Sequence, residues 1–186
     1  AGGTIALSGT AYGATTAGTV SFTGPVTLGA NTTVAGGSGA VSFSSTVTGV
    51  GANRSLTVNS SGVTTLSGSL SGLTTLTLGS GGSTVIGGNI ALAGNTTLGD
   101  ALTLTAGSHS ITNGAFTTTF SSTINGQSAG AGNLSVSTSG AVTFTGAVGA
   151  TNALSSFSAG GTTVAVNGGA VRAAGSLSFL SAVTLG

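Results

Sequence analysis

The apolar residues of this chain come in short triplets with a polar residue in the middle. V-S-F stands at 20–22, V-T-L at 26–28, L-T-V at 56–58, V-T-F at 142–144 and L-S-F at 177–179. Alternation with period two puts both apolar side chains on one face of a strand. Each run ends within a few positions, where Gly, Asn or Ser interrupts it and supplies a turn. Val, Thr, Ile and Phe favour strands, and the helix formers Glu, Lys and Gln are almost missing. The pattern predicts many very short strands and no helix.

The triplets recur at a nearly constant step, at Val20, Val41, Val63 and Val85 and again at Val142 and Val164. Three strands of this length with tight corners consume about 20 residues, which makes one coil of a parallel β-helix and fits the period of solenoids and related arrays. In such a stack each strand pairs with its equivalents one coil away, at about 4.8 Å. Inward residues then form ladders of Val and Leu or Phe, each contributing roughly 1.5–3 kcal/mol by burial. One coil cannot bury its own face, so stability grows with stacking. Ser21, Thr27, Ser42, Thr57, Thr77, Thr103, Thr143 and Ser178 are predicted to point outward. The chain is expected to form one continuous all-β solenoid over 1–186, with about nine or ten coils in a rod of about 45 Å.

A longer repeat overlies the short one. VSFTGPVTLG at 20–29 returns as TTLGDALTL at 96–104 and as LSFLSAVTLG at 177–186. FSSTVTG at 43–49 returns as FSSTING at 120–126, and LTVNSSGVTTLSGSL at 56–70 as LSVSTSGAVTFTGAV at 134–148. The chain therefore reads as a partial unit at 1–19, full units of about 78 residues at 20–95 and 96–176, and a partial unit at 177–186.

Composition narrows the class. Of 186 residues only Arg54, Asp100 and Arg172 are charged, 36 are Gly, and there is no Cys. Ordinary domains are about 25% charged. Disorder does not explain the deficit, because disordered chains combine low hydrophobicity with high net charge, and this one is 39% hydrophobic at net charge +1. A stacked solenoid does explain it: like residues lie above one another, and a column of like charges repels. A column of Ser or Thr can instead hydrogen-bond along itself. No apolar run reaches the about 20 residues of a membrane helix. Eight scattered aromatics make no girdle for an outer-membrane barrel. Two isolated arginines do not neutralise a phosphate backbone, so neither nucleic acid nor anionic lipid is an expected partner. No secretory signal starts at Ala1, so the reading expects a mature segment or one cut from a longer chain.

The Gly-rich sub-repeats at 62–88 and 140–171 resemble those of very large bacterial surface proteins of the filamentous-haemagglutinin and autotransporter-adhesin type. The resemblance covers essentially the whole chain. It implies a right-handed parallel β-helix, secretion to the cell surface, and a role as a fibre shaft or adhesin stalk. The N-terminal secretion domain and C-terminal barrel of that family have no counterpart here, so the resemblance implies an internal slice.

Candidate chemistry is sparse. His109 and Asp100 are the only histidine and acid, and they lie close together in sequence. A Ser-His-Asp arrangement would need a serine beside them. In the repeat alignment Asp100 falls on Gly24, and His109 near Thr32 or Thr33, so both read as surface substitutions peculiar to one unit. A single carboxylate supports neither a paired-carboxylate glycosidase nor a calcium-binding nonapeptide repeat. The glycine strings at 35–41 and 79–88 lack a following Lys and helix, and read as corners rather than phosphate loops. Asn31, Asn53, Asn59, Asn95 and Asn133 open N-x-S/T triplets of the kind expected by chance here. Arg54 and Arg172 are expected to face solvent, Pro25 to sit at a corner, and Tyr12 to be a terminal-coil contact or a surface residue.

The leading expectation is a structural segment of an extracellular bacterial fibre. It carries no catalytic, metal-binding or cofactor-binding residues, takes no cofactor, and is not an enzyme. Its partners are its own continuation or end-to-end copies, and a host or neighbouring cell surface. The alternative is an ice- or carbohydrate-binding β-helix using Thr-rich stretches such as TTLTL (74–78) and TTTF (117–120). The outward Ser and Thr read as lacking strict order, which weighs against that alternative.

Overall fold

A computed structural model describes residues 3–14, 16–51, 54–79 and 81–186. Among these there is no helix, and every strand pairing is parallel. The strands stack as a solenoid of about eight turns, consistent with a right-handed β-helix.

Each coil has three faces. The first holds β1 (Ile5–Leu7), β4 (Val26–Leu28), β7 (Val47–Gly49), the start of β10 (Leu70–Leu78), β12 (Ile90–Leu92), β15 (Ser108–Asn113), β18 (Asn133–Ser137), β20 (Ser156–Gly160) and β22 (Leu177–Phe179). The second holds β2 (Ala11–Gly13), β5 (Thr32–Gly37), β8 (Arg54–Ser60), the remainder of β10, β13 (Thr96–Leu98), β16 (Thr118–Phe120), β19 (Val142–Phe144), β21 (Val164–Val166) and β23 (Val183–Leu185). The third holds β3 (Val20–Phe22), β6 (Val41–Phe43), β9 (Val63–Leu66), β11 (Ser83–Ile86), β14 (Ala101–Leu104) and β17 (Ile124–Gly126), continued by single bridges at Val148 and Val171. The first two faces merge into one sheet because β10 runs round their shared corner and pairs on both sides.

The turns are fewer than the nine or ten expected, because coil length is not constant. Register partners are close in sequence at Thr84↔Leu102 and distinctly farther apart at Val34↔Val58 and Ile124↔Val148. The extra length goes into corners, most visibly at 127–132, where the chain between β17 and β18 makes additional turns.

The predicted polarity holds. On the second face the inner column runs Val34, Val58, Leu78, Leu98, Phe120, Phe144, Val166, all buried. Phe120 and Phe144 stack with ring centres 4.9 Å apart, and Phe22 and Phe43 do the same at 4.8 Å on the third face. Coil rise and ring-stacking distance nearly coincide, so stacked aromatics fit the ladder without strain. The eight residues predicted to point outward are all exposed or half-buried. Pro25 lies at the corner between β3 and β4, and its carbonyl accepts the Ile5 amide at 2.7 Å. Tyr12 is a terminal-coil contact: half-buried, it accepts the Gly9 amide on its hydroxyl at 2.8 Å.

The longer repeat is not a whole number of coils. Its three phrases begin at β3, β13 and β22, which lie on the third, second and first faces respectively. From β3 to β13 there are eleven strand positions, counting β10 on both its faces. From β13 to β22 there are again eleven, counting the bridges at Val148 and Val171. At three positions per coil, eleven is three and two-thirds coils. Each copy of the phrase therefore lands on a different face.

The corners follow the same shift. Gly68 and Gly88 stack above Ser45 between the third and first faces, and Gly146 and Gly168 stack above Ser122 between the second and third. In both columns a Cβ on the glycine would run into the backbone of its equivalent one coil below. The same strand-and-corner phrase therefore recurs on different faces.

Candidate functional site

Three places carry polar chemistry: the interior around Asp100, the interior around His109, and the outer faces.

Asp100 is not on the surface. It follows β13 at the corner into β14, and only 2% of it is exposed. Its Oδ2 accepts a hydrogen bond from Thr84 Oγ1 at 2.8 Å, while Oδ1 has no hydrogen-bond partner among the described residues. Desolvation by burial raises its carboxyl above the ordinary aspartate range, against smaller opposing pulls from Thr84 and the nearby Gly82 amide. His109 is also inside, 3% exposed, because the S-H-S alternation of β15 gives it the same parity as buried Ile111. Its Nε2 lies 2.9 Å from the Thr105 carbonyl, so Nε2 carries the proton and donates. Nδ1 is buried and unpartnered among the described residues.

The reading of both as surface substitutions is thus corrected. The repeat alignment shows which residue is unusual, but not which way a corner turns its side chain. Asp100 sits where the second face meets the third, and His109 lies on the first face. Each bonds to a different partner, and no hydrogen bond joins them.

Both arginines donate to corner carbonyls, Arg54 within its own corner and Arg172 to the neighbouring coil. Arg54 Nε donates to the Val50 carbonyl at 3.0 Å, and Arg172 Nη1 to the Ala150 carbonyl at 3.4 Å. Arg172 faces solvent as expected, whereas Arg54 is half-buried. Most of the N-x-S/T asparagines are engaged with the next coil. Asn31 Oδ1 accepts the Ser55 amide at 3.0 Å, Asn95 Oδ1 the amide and hydroxyl of Thr117 at 3.0 and 3.1 Å, and Asn133 bridges Ser108 and Ser156 at 3.2 and 3.0 Å. Asn59 is exposed, and Asn53 lies outside the described residues.

The outer faces are more regular than the sequence reading allowed. On the second face Thr33, Thr57, Thr77, Thr97, Thr119 and Thr143 occupy one outward position in six successive coils. On the first face Ser110, Ser135, Ser158 and Ser178 form a second column, flanked by Ser108, Asn133 and Ser156. This Ser column and its flanking residues line a shallow groove of about 410 Å³. Side-chain hydrogen bonds run along the groove, as in Ser158 Oγ to Ser135 Oγ at 3.1 Å. The signal lay in S-H-S, N-L-S, S-F-S and S-L-S at 108–110, 133–135, 156–158 and 176–178. It was hidden because the intervals between these triplets are unequal.

No protein-family model, curated protein or solved structure matches this chain.

Proposed function

We propose that this chain is a structural segment of an extracellular bacterial fibre, adhesin shaft or surface filament, lengthened by stacking β-coils. The observation that carries this reading is the equivalence of the three faces. Every strand-and-corner unit offers the next coil the same ladder of amides and carbonyls and the same apolar column, whichever face it occupies. Such a stack has no built-in length. At the C-terminal side of the described stack, β22 and β23 present an open strand edge, with the inward-facing Leu177 47% and Leu185 78% exposed. A further coil, from the same chain or from an identical copy, would pair that edge and bury those leucines. The role is passive and mechanical, without catalysis, cofactor, nucleic acid or membrane insertion. The family resemblance supports placing it outside the cell, where the shaft meets a host or neighbouring cell surface. Electron microscopy of the isolated material tests the reading: thin uniform fibres with an axial repeat near about 4.8 Å support it, and discrete globular particles sink it. Immunogold labelling of intact cells tests the location separately.

A second reading, an ice- or carbohydrate-binding face, is favoured by the in-register Thr column and the Ser/Asn groove. Thermal hysteresis and binding to a panel of neutral glycans separate it from the first.

A further inference from the structure

Asp100 is the one carboxylate side chain in the molecule, and it is folded into a corner built for a hydroxyl. The register Val58↔Leu78↔Leu98 puts Ser60 and Asp100 at equivalent places two coils apart. Ser60 fits that place completely: its Oγ donates to the Gly39 carbonyl at 2.6 Å and accepts the Gly62 amide at 3.0 Å. Asp100 has four lone-pair sites where Ser60 has two. One oxygen takes the Thr84 hydroxyl, and the other is buried without a partner among the described residues. Thr84 stands in one ladder column with Thr64 and Leu102, all three buried. The elements packed against the corner, β9, β11, β13 and β14 with their connections, contain no other titratable or charged residue. Arg54 hydrogen-bonds to the Val50 carbonyl of its own corner, Arg172 to the Ala150 carbonyl one coil away, and His109 to Thr105. An ionised carboxylate here would be desolvated, with only the Thr84 hydroxyl and the nearby Gly82 amide to offset the loss and no opposite charge among the described neighbours, which is costly enough that such a group neutralises or the structure gives way.

We propose that the Asp100 corner is a pH-responsive joint: the carboxyl is folded in as the neutral acid, and its ionisation opens the junction between β13 and β14 while the other coils stay stacked. The direction follows from burial. The unfolded chain releases this proton near about pH 3.9, and the folded chain holds it to higher pH. The corner therefore has its full stability below the ordinary carboxylate range and loses it as pH rises through the folded-state value.

The test is hydrogen exchange of the full chain from pH 3 to 8, corrected for intrinsic rates, with infrared spectroscopy of the carboxylic acid band. In a chain with one acidic side chain, the part of that band lost in Asp100→Asn reports Asp100. We expect protection of residues 99–105 and 82–87 to fall at least tenfold as the band disappears, with residues 142–148 unchanged. Asp100→Asn and Asp100→Ser should both hold protection within twofold across the range, the serine variant reproducing the Ser60 corner. Loss of the band near pH 4 with undiminished protection overturns the proposal. So does an equal pH response in both variants, or recovery of protection at pH 8 on adding sodium, potassium or calcium, which would make the corner a cation site.

Discussion

If one strand-and-corner unit fits any face, exchanging two copies of a phrase between faces should leave the solenoid intact. FSSTVTG at 43–49 leads from the third face to the first, and FSSTING at 120–126 from the second to the third. Grafting the first onto the second site changes only Ile124→Val and Asn125→Thr. Ile124 is fully buried between Leu102 and Val148, so losing one methylene costs about 0.5–1.5 kcal/mol. Asn125 Oδ1 accepts the amides of Thr151 and Asn152 at 3.0 and 3.3 Å, bonds a threonine does not replace. With about 0.5–1.5 kcal/mol net per bond, the double change costs about 1.5–4.5 kcal/mol in all. The reverse graft, Val47→Ile with Thr48→Asn, adds a methylene between Val26 and Leu70, at about 1–3 kcal/mol. The outward Asn should change little. Urea unfolding followed by far-UV circular dichroism reads both. Each graft should unfold cooperatively with an unchanged slope and a midpoint lowered by these amounts. Loss of the β signal in either graft refutes the equivalence of faces, and a neutral Asn125→Thr refutes the contribution assigned to its two hydrogen bonds.

Phe144→Ala should cost about 3–5 kcal/mol in the same assay, because Phe144 stacks on Phe120 and meets Phe157 edge-on; Phe22→Ala, at one end of a single pair, should cost less. Gly88→Ala and Gly168→Ala each drive a methyl into the backbone of the coil below, at different corners. Their melting temperatures should fall by amounts that agree within a few degrees, at a cost of about 1–3 kcal/mol or more. Thr77→Lys combined with Thr97→Lys places two charges one coil apart on the outer Thr column, a repulsion of up to about 1 kcal/mol in water. The double variant should lose stability beyond the sum of the singles at low ionic strength, and recover it in about 1 M salt.

The fold was legible because each of its units is local. V-T-L at 26–28 states its own strand, its inward parity and its corner within a few positions, and needs no distant partner to be read. Coil count was less legible, since length lost to corners such as 127–132 leaves no mark in the apolar spacing. The polar interior was not legible for a related reason. At 108–110 strict alternation puts His109 inside, whereas the repeat alignment, which sets it near Thr32 or Thr33, marks it only as unusual; the structure follows the alternation. Asp100 had no such cue. A corner residue has no fixed parity, and its direction depends on Thr84 one coil away. The Thr and Ser columns were obscured by unequal coils, short at Thr84↔Leu102 and long at Ile124↔Val148, which scatter in sequence what the ladder aligns in space.

The eleven-position shift bears on how such a chain keeps its register. A repeat of whole coils would place identical strands above one another every few turns, and a slip by one repeat would cost nothing. Three and two-thirds coils avoids this. A slip that realigns two copies of a phrase must also turn the chain by one face. The residues that break the pattern then act as local markers. Asp100 has Thr84 beside it in one coil only, and among the described asparagines Asn125 alone accepts two successive amides of the next coil, those of Thr151 and Asn152. In a stack whose hydrophobic ladder accepts any strand on any face, these few unrepeated polar contacts, together with unequal corner lengths, are what specify one register over its neighbours.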